Sequence, residues 1–325
     1  MKVFVTRKLP GDVLKPLLES EHEVDVFEED RTMEPLEFLE RARGAEAVLT
    51  LLSNKIDGEV MEAIGPQLKL ISNYAVGFDN IDIEAATNRK VLVTNTPSDE
   101  VNEAVAEHAW ALILALARRV VEADESTRRG SYKGWEPGIF LGRSLMGKTL
   151  GIVGLGRIGT MTARRANGFG MKILYNKRSR DEEAESQLGI GFADLDTLLQ
   201  NSDFISLHVP LTNETRHMIN AETLSKMKEG SFIVNTARGA CVNESDLVGA
   251  LRDGKLAGAA LDVFDNEPNI NPELIAMENV ILTPHIASAT IEARDKMGSQ
   301  AVSAVLNTFS GQKPDNLVNP DVWQQ

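Results

Sequence analysis

Short β-branched runs alternate with longer stretches of helical periodicity along the chain. VFVT opens the sequence, and EVDVF, EAVLTLL, LKLISNY and KVLVT follow, each separated by a stretch that fits a helix. A second series starts at TLGIVG and continues through MKILY, DFISLHV, SFIVNTA, AGAALDVF and VILTP. Each run of this second series is short and largely apolar, the pattern of a strand buried on both faces. The repeated alternation predicts two parallel sheets, each covered by helices on both sides. Between the two series lies VNEAVAEHAWALILALARRVVEADESTRRG, with no Gly or Pro before Gly130. Its first half is apolar on nearly every face, which predicts a buried helix wedged between two domains or two subunits. The loop GSYKGWEPGIF follows. A last helix is expected over roughly Ala287 to Phe309, before a polar tail, and should return to the first domain. The expected division is a discontinuous domain, 1–98 with 289–325, and a middle domain, 99–288.

Composition narrows this picture. A chain of 325 residues has room for two domains. Its 42% hydrophobic and 25% charged residues are ordinary for a soluble globular protein. A net charge of -14 argues against a general nucleic-acid binder, whose phosphate contacts need a basic surface. The same acidity makes the basic cluster NKRSR, Asn176 to Arg180, stand out. The single cysteine, Cys241, excludes an intramolecular disulfide, fits a reducing compartment, and reads as a small buried hydrophobe. The opening MKVFVTRKLP has too short an apolar run for a signal peptide. AWALILALA falls far short of the ~20 apolar residues of a membrane span. A soluble, cytoplasmic protein is expected, with no metal site and no nucleic-acid or membrane partner.

TLGIVGLGRIGTMTARRANGFGMKILYN reads as strand, turn, helix, strand, with a G-x-G-x-x-G between strand and helix. That context gives the glycines tasks. Gly154 permits the tight turn, Gly156 lets backbone approach a pyrophosphate, and Gly159 lets helix pack on strand. Leu155, Arg157 and Ile158 complete the turn, and the helix N-terminus offers N–H groups and a positive dipole to phosphate. A fold of this kind, Rossmann-like, usually places an acid about 20 residues on, to hold the ribose hydroxyls of NAD. Here that place holds Asn176, Lys177, Arg178, Ser179 and Arg180. An acid would repel a 2′-phosphate, whereas cations attract one. Lys177, Arg178 and the Ser179 hydroxyl therefore point to NADP(H) as the preferred cofactor, with NAD(H) as the alternative. Arg180 is the least assignable of the group.

Three later loops, each after an expected strand, carry residues that reduction of a 2-keto acid needs. VNTARGACV holds Arg238, whose fork can grip a carboxylate and a keto oxygen. LDVFDNEP holds Asp262 and Glu267. LTPHIASAT holds His285, which can protonate the alkoxide formed when hydride reaches the carbonyl carbon. A carboxylate beside it orients the ring and stabilises its charged form. Open α/β sheets bind ligands at this edge. His108, His208 and His217 lack the setting, and His208 is assigned to packing or a pocket wall.

The chain resembles the D-isomer-specific 2-hydroxyacid dehydrogenases. The resemblance spans nearly all of it, through NYAVGFDNIDIEAA, TPSDEVNEAVAEHAWALILALAR, GKTLGIVGLGRIG, SDFISLHVPLTNETRHMIN, FIVNTARG, AGAALDVFDNEP and NVILTPHIASAT. Within the family it is most similar to the glyoxylate and hydroxypyruvate reductases, some of which use NADPH. The resemblance implies two Rossmann-like domains flanking a cleft, the discontinuous one for substrate and the middle one for the dinucleotide. It implies that Arg238 binds the carboxylate and polarises the keto group, that His285 is the general acid, and that Glu267 supports it. The amides of Val76 and Gly77 would hold the substrate carboxylate. Asp262 would hold the nicotinamide carboxamide, with Thr236 and Ala237 lining that end. Leu52 and Ser53 would lie near the variable group of the substrate, and Trp135 would help close the pocket. The family is typically dimeric, through the long helix around Trp110. Lys177 departs from the NAD pattern, falling where the acid usually sits. Alternatives are a relative acting on D-lactate, a gluconate-type acid, 3-phosphoglycerate or phosphite, and a non-catalytic dinucleotide-sensing protein like the corepressors built on this fold. The 3-phosphoglycerate reading fits less well, because the chain runs only a short way past the last helix.

Overall fold

The computed structural model describes residues 1–323. They form two compact units, Met1–Val101 with the chain from Ala289 onward, and Asn102–Ser288. In the first unit lie β1 (Lys2–Val5), β2 (Glu23–Val26), β3 (Ala47–Leu51), β4 (Leu70–Tyr74) and β5 (Leu92–Thr94), in spatial order β2-β1-β3-β4-β5. In the second lie β6 (Thr149–Val153), β7 (Lys172–Asn176), β8 (Gly191–Phe192), β9 (Phe204–Leu207), β10 (Ser231–Asn235), β11 (Leu256–Leu261) and β12 (Val280–Leu282). Their order is β12-β11-β10-β9-β6-β7-β8, and every pairing among the named strands is parallel. Both sheets are doubly wound. In each the chain leaves its first strand to one side and then resumes on the other, so a switch point opens at β1/β3 and at β6/β9. The apolar runs have their physical reason here: β4, β9 and β10 are buried along their whole length between helices.

Four features depart from the sequence pattern. β8 is an added edge strand of two residues, too short to announce itself beside β7. The long central helix breaks into Asp99–Arg118 and Val120–Arg128 at Arg119, whose φ is +54°. A loop explains the break: the Arg143 amide donates to the Ala117 carbonyl at 2.7 Å. Gly142 approaches so closely that a Cβ there would lie 2.3 Å from that same oxygen. The helix end is thus satisfied from outside, with no glycine at the break. Third, the last helix spans Ile291–Phe309, capped by the Thr290 side chain, which accepts from the Ala293 amide. Its expected first residue, Ala287, instead donates its amide to Asp262. Fourth, Trp110 is turned inward, 4% exposed, its indole N–H donating to the Thr162 carbonyl and its ring stacked on Phe169. The Trp110 ring thus belongs to the core of its own unit. A run of exposed apolar residues comes later in the sequence, at Val120, Val121, Tyr132, Trp135, Ile139, Leu141 and Met146.

The last helix packs on β4 in the first unit. Ser72 Oγ donates to the Ala301 carbonyl and Tyr74 Oη to the Arg294 carbonyl. The tail then runs back along β5: the Val318 amide donates to the Val93 carbonyl, and Asn319 Oδ1 accepts from the Val93 amide. Asn319 Nδ2 donates to the Val91 carbonyl.

Candidate active site

The glycine turn sits at the carboxyl end of β6, at the switch point of the second sheet. Gly154 has φ +98°, and a Cβ there would lie 2.6 Å from the His208 carbonyl oxygen. A Cβ on Gly159 would lie 2.1 Å from the Gly154 oxygen, so helix Arg157–Ala166 can seat on the turn only with glycine there. Gly156 differs: it is exposed, and nothing lies within 4 Å of where its Cβ would be. That is open backbone at a helix start which no side chain caps. The Thr160 amide makes a helix bond to the Gly156 carbonyl, and the preceding amides, of Arg157, Ile158 and Gly159, stand at the open helix end. Leu155 contributes backbone only, because its side chain is buried in the core. At the next strand end but one, Thr236 is buried, and its hydroxyl has no hydrogen-bond partner among the described residues. An open cradle, a helix N-terminus and an orphaned buried hydroxyl together fit a dinucleotide.

The basic loop after β7 is more structured than its sequence suggests. Lys177 Nζ pairs with Asp181 Oδ2 at 2.8 Å, and Arg180 grips Glu185 through two bonds of 2.9 and 2.8 Å. The buried Tyr175 hydroxyl donates to Glu185 Oε1 and accepts from the Asp181 amide, which fixes the loop from below. Asp181 also caps helix Glu182–Leu188. The bond from Lys177 is the main reason its carboxyl is held below the usual range. Arg178 and Ser179 are exposed.

The three catalytic candidates meet at the ends of neighbouring strands. His285 Nδ1 lies 2.9 Å from Glu267 Oε2, and Glu267 Oε1 accepts from the Phe264 amide at 3.0 Å. Burial pushes the Glu267 carboxyl up. The His285 hydrogen bond and charge, the Phe264 N–H and the Arg238 charge outweigh it, and the net shift is downward. Arg238 is half-buried, with Nη1 donating to the Ala237 carbonyl at 2.8 Å. Asn235, fully buried at the end of β10, holds that loop: its Nδ2 donates to the Arg238 carbonyl and its Oδ1 accepts from the Ala237 amide. Asp262 is fully buried too. Its carboxylate accepts from the Thr283 hydroxyl and from the amides of Ile286 and Ala287, on either side of the histidine loop. No group of three or more His, Cys, Asp or Glu side chains among the described residues could hold a metal ion.

Val76, Gly77, Leu52 and Ser53 belong to the first unit, in the loops after β4 and β3. Asparagines shape both loops. The Ala75 carbonyl accepts from the Thr96 amide, the Val76 carbonyl from Asn95 Nδ2, and the Gly77 carbonyl from Asn73 Nδ2. A trans peptide sends its N–H opposite to its C=O. The amides of Val76 and Gly77 are therefore turned away from those partners. Asn80 Nδ2 donates to the carbonyls of Leu51 and Asn54, and Asn54 Oδ1 accepts from the Leu51 amide and the Thr6 hydroxyl. Leu52 is half-buried and Ser53 exposed. Trp135 is 82% exposed. The sequence does not single out Asn54, Asn73, Asn80, Asn95 and Asn235, whose side chains hydrogen-bond within these loops. Their one signal is an amide side chain at or just beyond a strand end.

Two doubly wound parallel sheets, one with a dinucleotide turn at its switch point and a His–Glu pair beside an arginine loop, define a nicotinamide-dependent oxidoreductase. Residues 110–287 match the family described as D-isomer specific 2-hydroxyacid dehydrogenase, NAD binding domain. The chain belongs to the D-isomer specific 2-hydroxyacid dehydrogenase family. It is 49% identical to a glyoxylate reductase of Thermococcus litoralis, over 99% of this chain and 97% of that one. Among solved structures it is similar to a Thermus thermophilus protein, with a TM-score of 0.92 and 44% identity over 98% of this chain and 100% of that one. It is also similar to an NADPH-dependent glyoxylate/hydroxypyruvate reductase of Sinorhizobium meliloti solved with NADP and malonate. That match has a TM-score of 0.86 and 32% identity, over 100% of this chain and 98% of the other.

Proposed function

We propose that this protein reduces small 2-keto acids of the glyoxylate and hydroxypyruvate kind to 2-hydroxy acids, with NADP(H) preferred over NAD(H). The observation that carries the chemistry is the 2.9 Å bond between His285 Nδ1 and Glu267 Oε2. With Nδ1–H donated to the ionised Glu267, the ring presents Nε2–H as its transferable proton. The bound dinucleotide supplies the hydride that reduces the keto carbon. His285 delivers the proton to the developing alkoxide, and Arg238 holds positive charge where that alkoxide forms. The amides of Val76 and Gly77 receive the substrate carboxylate, and Leu52 and Ser53 border its variable group. Gly154 to Gly159 cradle the pyrophosphate, and Thr236 and Ala237 line the nicotinamide end.

The cofactor preference rests on Arg178 and Ser179, both exposed on the loop after β7, with Lys177 in reserve behind Asp181. The NADP-bound relative gives the reading further support. Steady-state kinetics of several 2-keto acids, each with NADPH and NADH, test it. Glyoxylate or hydroxypyruvate should give the highest kcat/KM, with NADPH. Arg178→Ala should raise the KM for NADPH by roughly tenfold, the worth of one charge-assisted contact, and leave that for NADH nearly unchanged. Equal effects on both cofactors would refute the phosphate role. A homodimer is part of the same reading, supported by the run of exposed apolar residues from Val120 to Met146. So is a cytoplasmic location, supported by the single, buried Cys241. Among the described residues no helix is long and apolar enough to cross a membrane.

A further inference from the structure

His108 was set aside as a histidine without a catalytic setting, yet it lies against the loop that carries His285. Its Nε2 is 3.1 Å from Thr283 Oγ1 and 3.4 Å from Asp262 Oδ1. Thr283 Oγ1 is in turn 2.6 Å from Asp262 Oδ1. A threonine hydroxyl has one hydrogen, and the carboxylate has none to give. The Thr283 hydrogen is therefore committed to Asp262, and His108 Nε2 must be the donor toward Thr283. The donors on the buried Asp262 carboxylate are then Thr283 and the amides of Ile286 and Ala287, with His108 Nε2 alongside at 3.4 Å.

Those amides immediately follow His285, and Thr283 stands two residues before it. His285 has φ +54°, the left-handed region, and its own amide donates to the Thr283 carbonyl at 3.0 Å. A β-substituted residue stays in that region only where its surroundings over-determine the backbone. Glu267 holds the imidazole; Asp262 holds the peptide on both sides of it.

We propose that Thr283 and His108, built on the buried Asp262 carboxylate, form a positioning relay that fixes the backbone of His285, so that proton delivery depends on a second histidine. The proposal rests on His285 being the proton donor. It gives Asp262 a task distinct from holding a carboxamide, and its consequences for turnover and for cofactor binding separate. The relay is read with Thr283→Val and His108→Leu, which remove one bond each without leaving a buried carboxylate uncapped by the Ile286 and Ala287 amides. Thr283→Ser restores the hydroxyl, and His108→Gln restores a donor.

The expected result is a loss in kcat on the order of ten- to a hundredfold for Thr283→Val and His108→Leu, the scale of a small misplacement of a reacting group. The KM for the keto acid and the NADPH dissociation constant, from fluorescence titration, should stay within about twofold. Thr283→Ser and His108→Gln should recover most of the turnover. Hydrogen exchange gives a readout independent of activity: the Ile286 and Ala287 amides should exchange faster in the two disrupted variants and not in the restored ones. Wild-type kcat in both disrupted variants overturns the proposal. So does an NADPH affinity that falls with turnover, or a loss that Thr283→Ser shares. If the wild-type chain turns over no 2-keto acid, the reductase reading fails on its own. The exchange measurement then still decides whether the relay holds the loop.

Discussion

At the scale of single residues, the proposed mechanism divides the site into groups that act and groups that aim. The residues proposed to act, His285, Glu267 and Arg238, stand out in the sequence because each follows a short apolar run, and strand ends of an open α/β sheet are where ligands bind. The aiming residues were not legible. Asn235, Asn73 and Asn95 act by bonding to loop carbonyls, a job defined by three-dimensional closeness that no local spacing encodes. Thr283 and His108 are 175 residues apart and meet only in the folded chain. Glu267 belongs to both groups, since one oxygen holds His285 and the other anchors the Phe264 amide. Glu267→Gln keeps the shape and removes the charge. It should lower kcat by roughly 10- to 100-fold at neutral pH, part of what a positioned acid–base pair contributes. NADPH affinity should be unchanged. A stopped-flow comparison of hydride transfer with a cofactor titration checks both parts.

Between residues and whole domains, the elements show where pattern reading succeeds and where it stops. Most strands of both series were legible from their apolar runs, because parallel strands covered on both faces are largely apolar; β2, at a sheet edge, is half acidic and partly exposed. The break at Arg119 was not, because its cause is the distant Gly142–Arg143 loop reaching the helix end. The loop after β7 gives an intermediate case. Its charge was legible; its internal pairing, Lys177 with Asp181 and Arg180 with Glu185, was not. That pairing predicts a specific gain. Asp181→Asn retains a good helix cap and releases Lys177, so the KM for NADPH should fall by roughly threefold, the scale of one exposed ion pair. The KM for NADH should barely move. A matched pair of cofactor titrations measures it, and an unchanged NADPH KM would leave Lys177 without a phosphate role.

For the molecule as a whole, stability carries a pH signature from a half-buried histidine outside the His285–Glu267 pair. Burial pushes the His208 imidazole down to about 4 from its usual 6.5, and its Nε2 rests 2.8 Å from Ser206 Oγ. The folded protein holds this ring neutral while the unfolded chain protonates it below 6.5. Its contribution is therefore complete above about pH 6.5 and is lost as pH falls toward 4, by at most about 3 kcal/mol. His208→Asn should flatten the urea midpoint between those two pH values relative to the unmodified chain. A slope that survives the substitution would place the acid sensitivity elsewhere. The division into two units reflects the chain order: the last helix closes the first unit by packing on β4, and the tail continues to β5.

That tail has a consequence for how the protein behaves in company. β5 is one of the two edge strands of its sheet, and the backbone of Val318 and the side chain of Asn319 occupy hydrogen-bonding groups that strand would otherwise offer. A bare strand margin is a template on which another chain can add. Cutting the chain before Leu317 should leave the fold of the second unit intact and convert the first into a seed for intermolecular strand addition. Light scattering of the shortened protein, with rising mass at constant ellipticity, would report it. A soluble shortened chain of unchanged mass would show that the margin is guarded by other means.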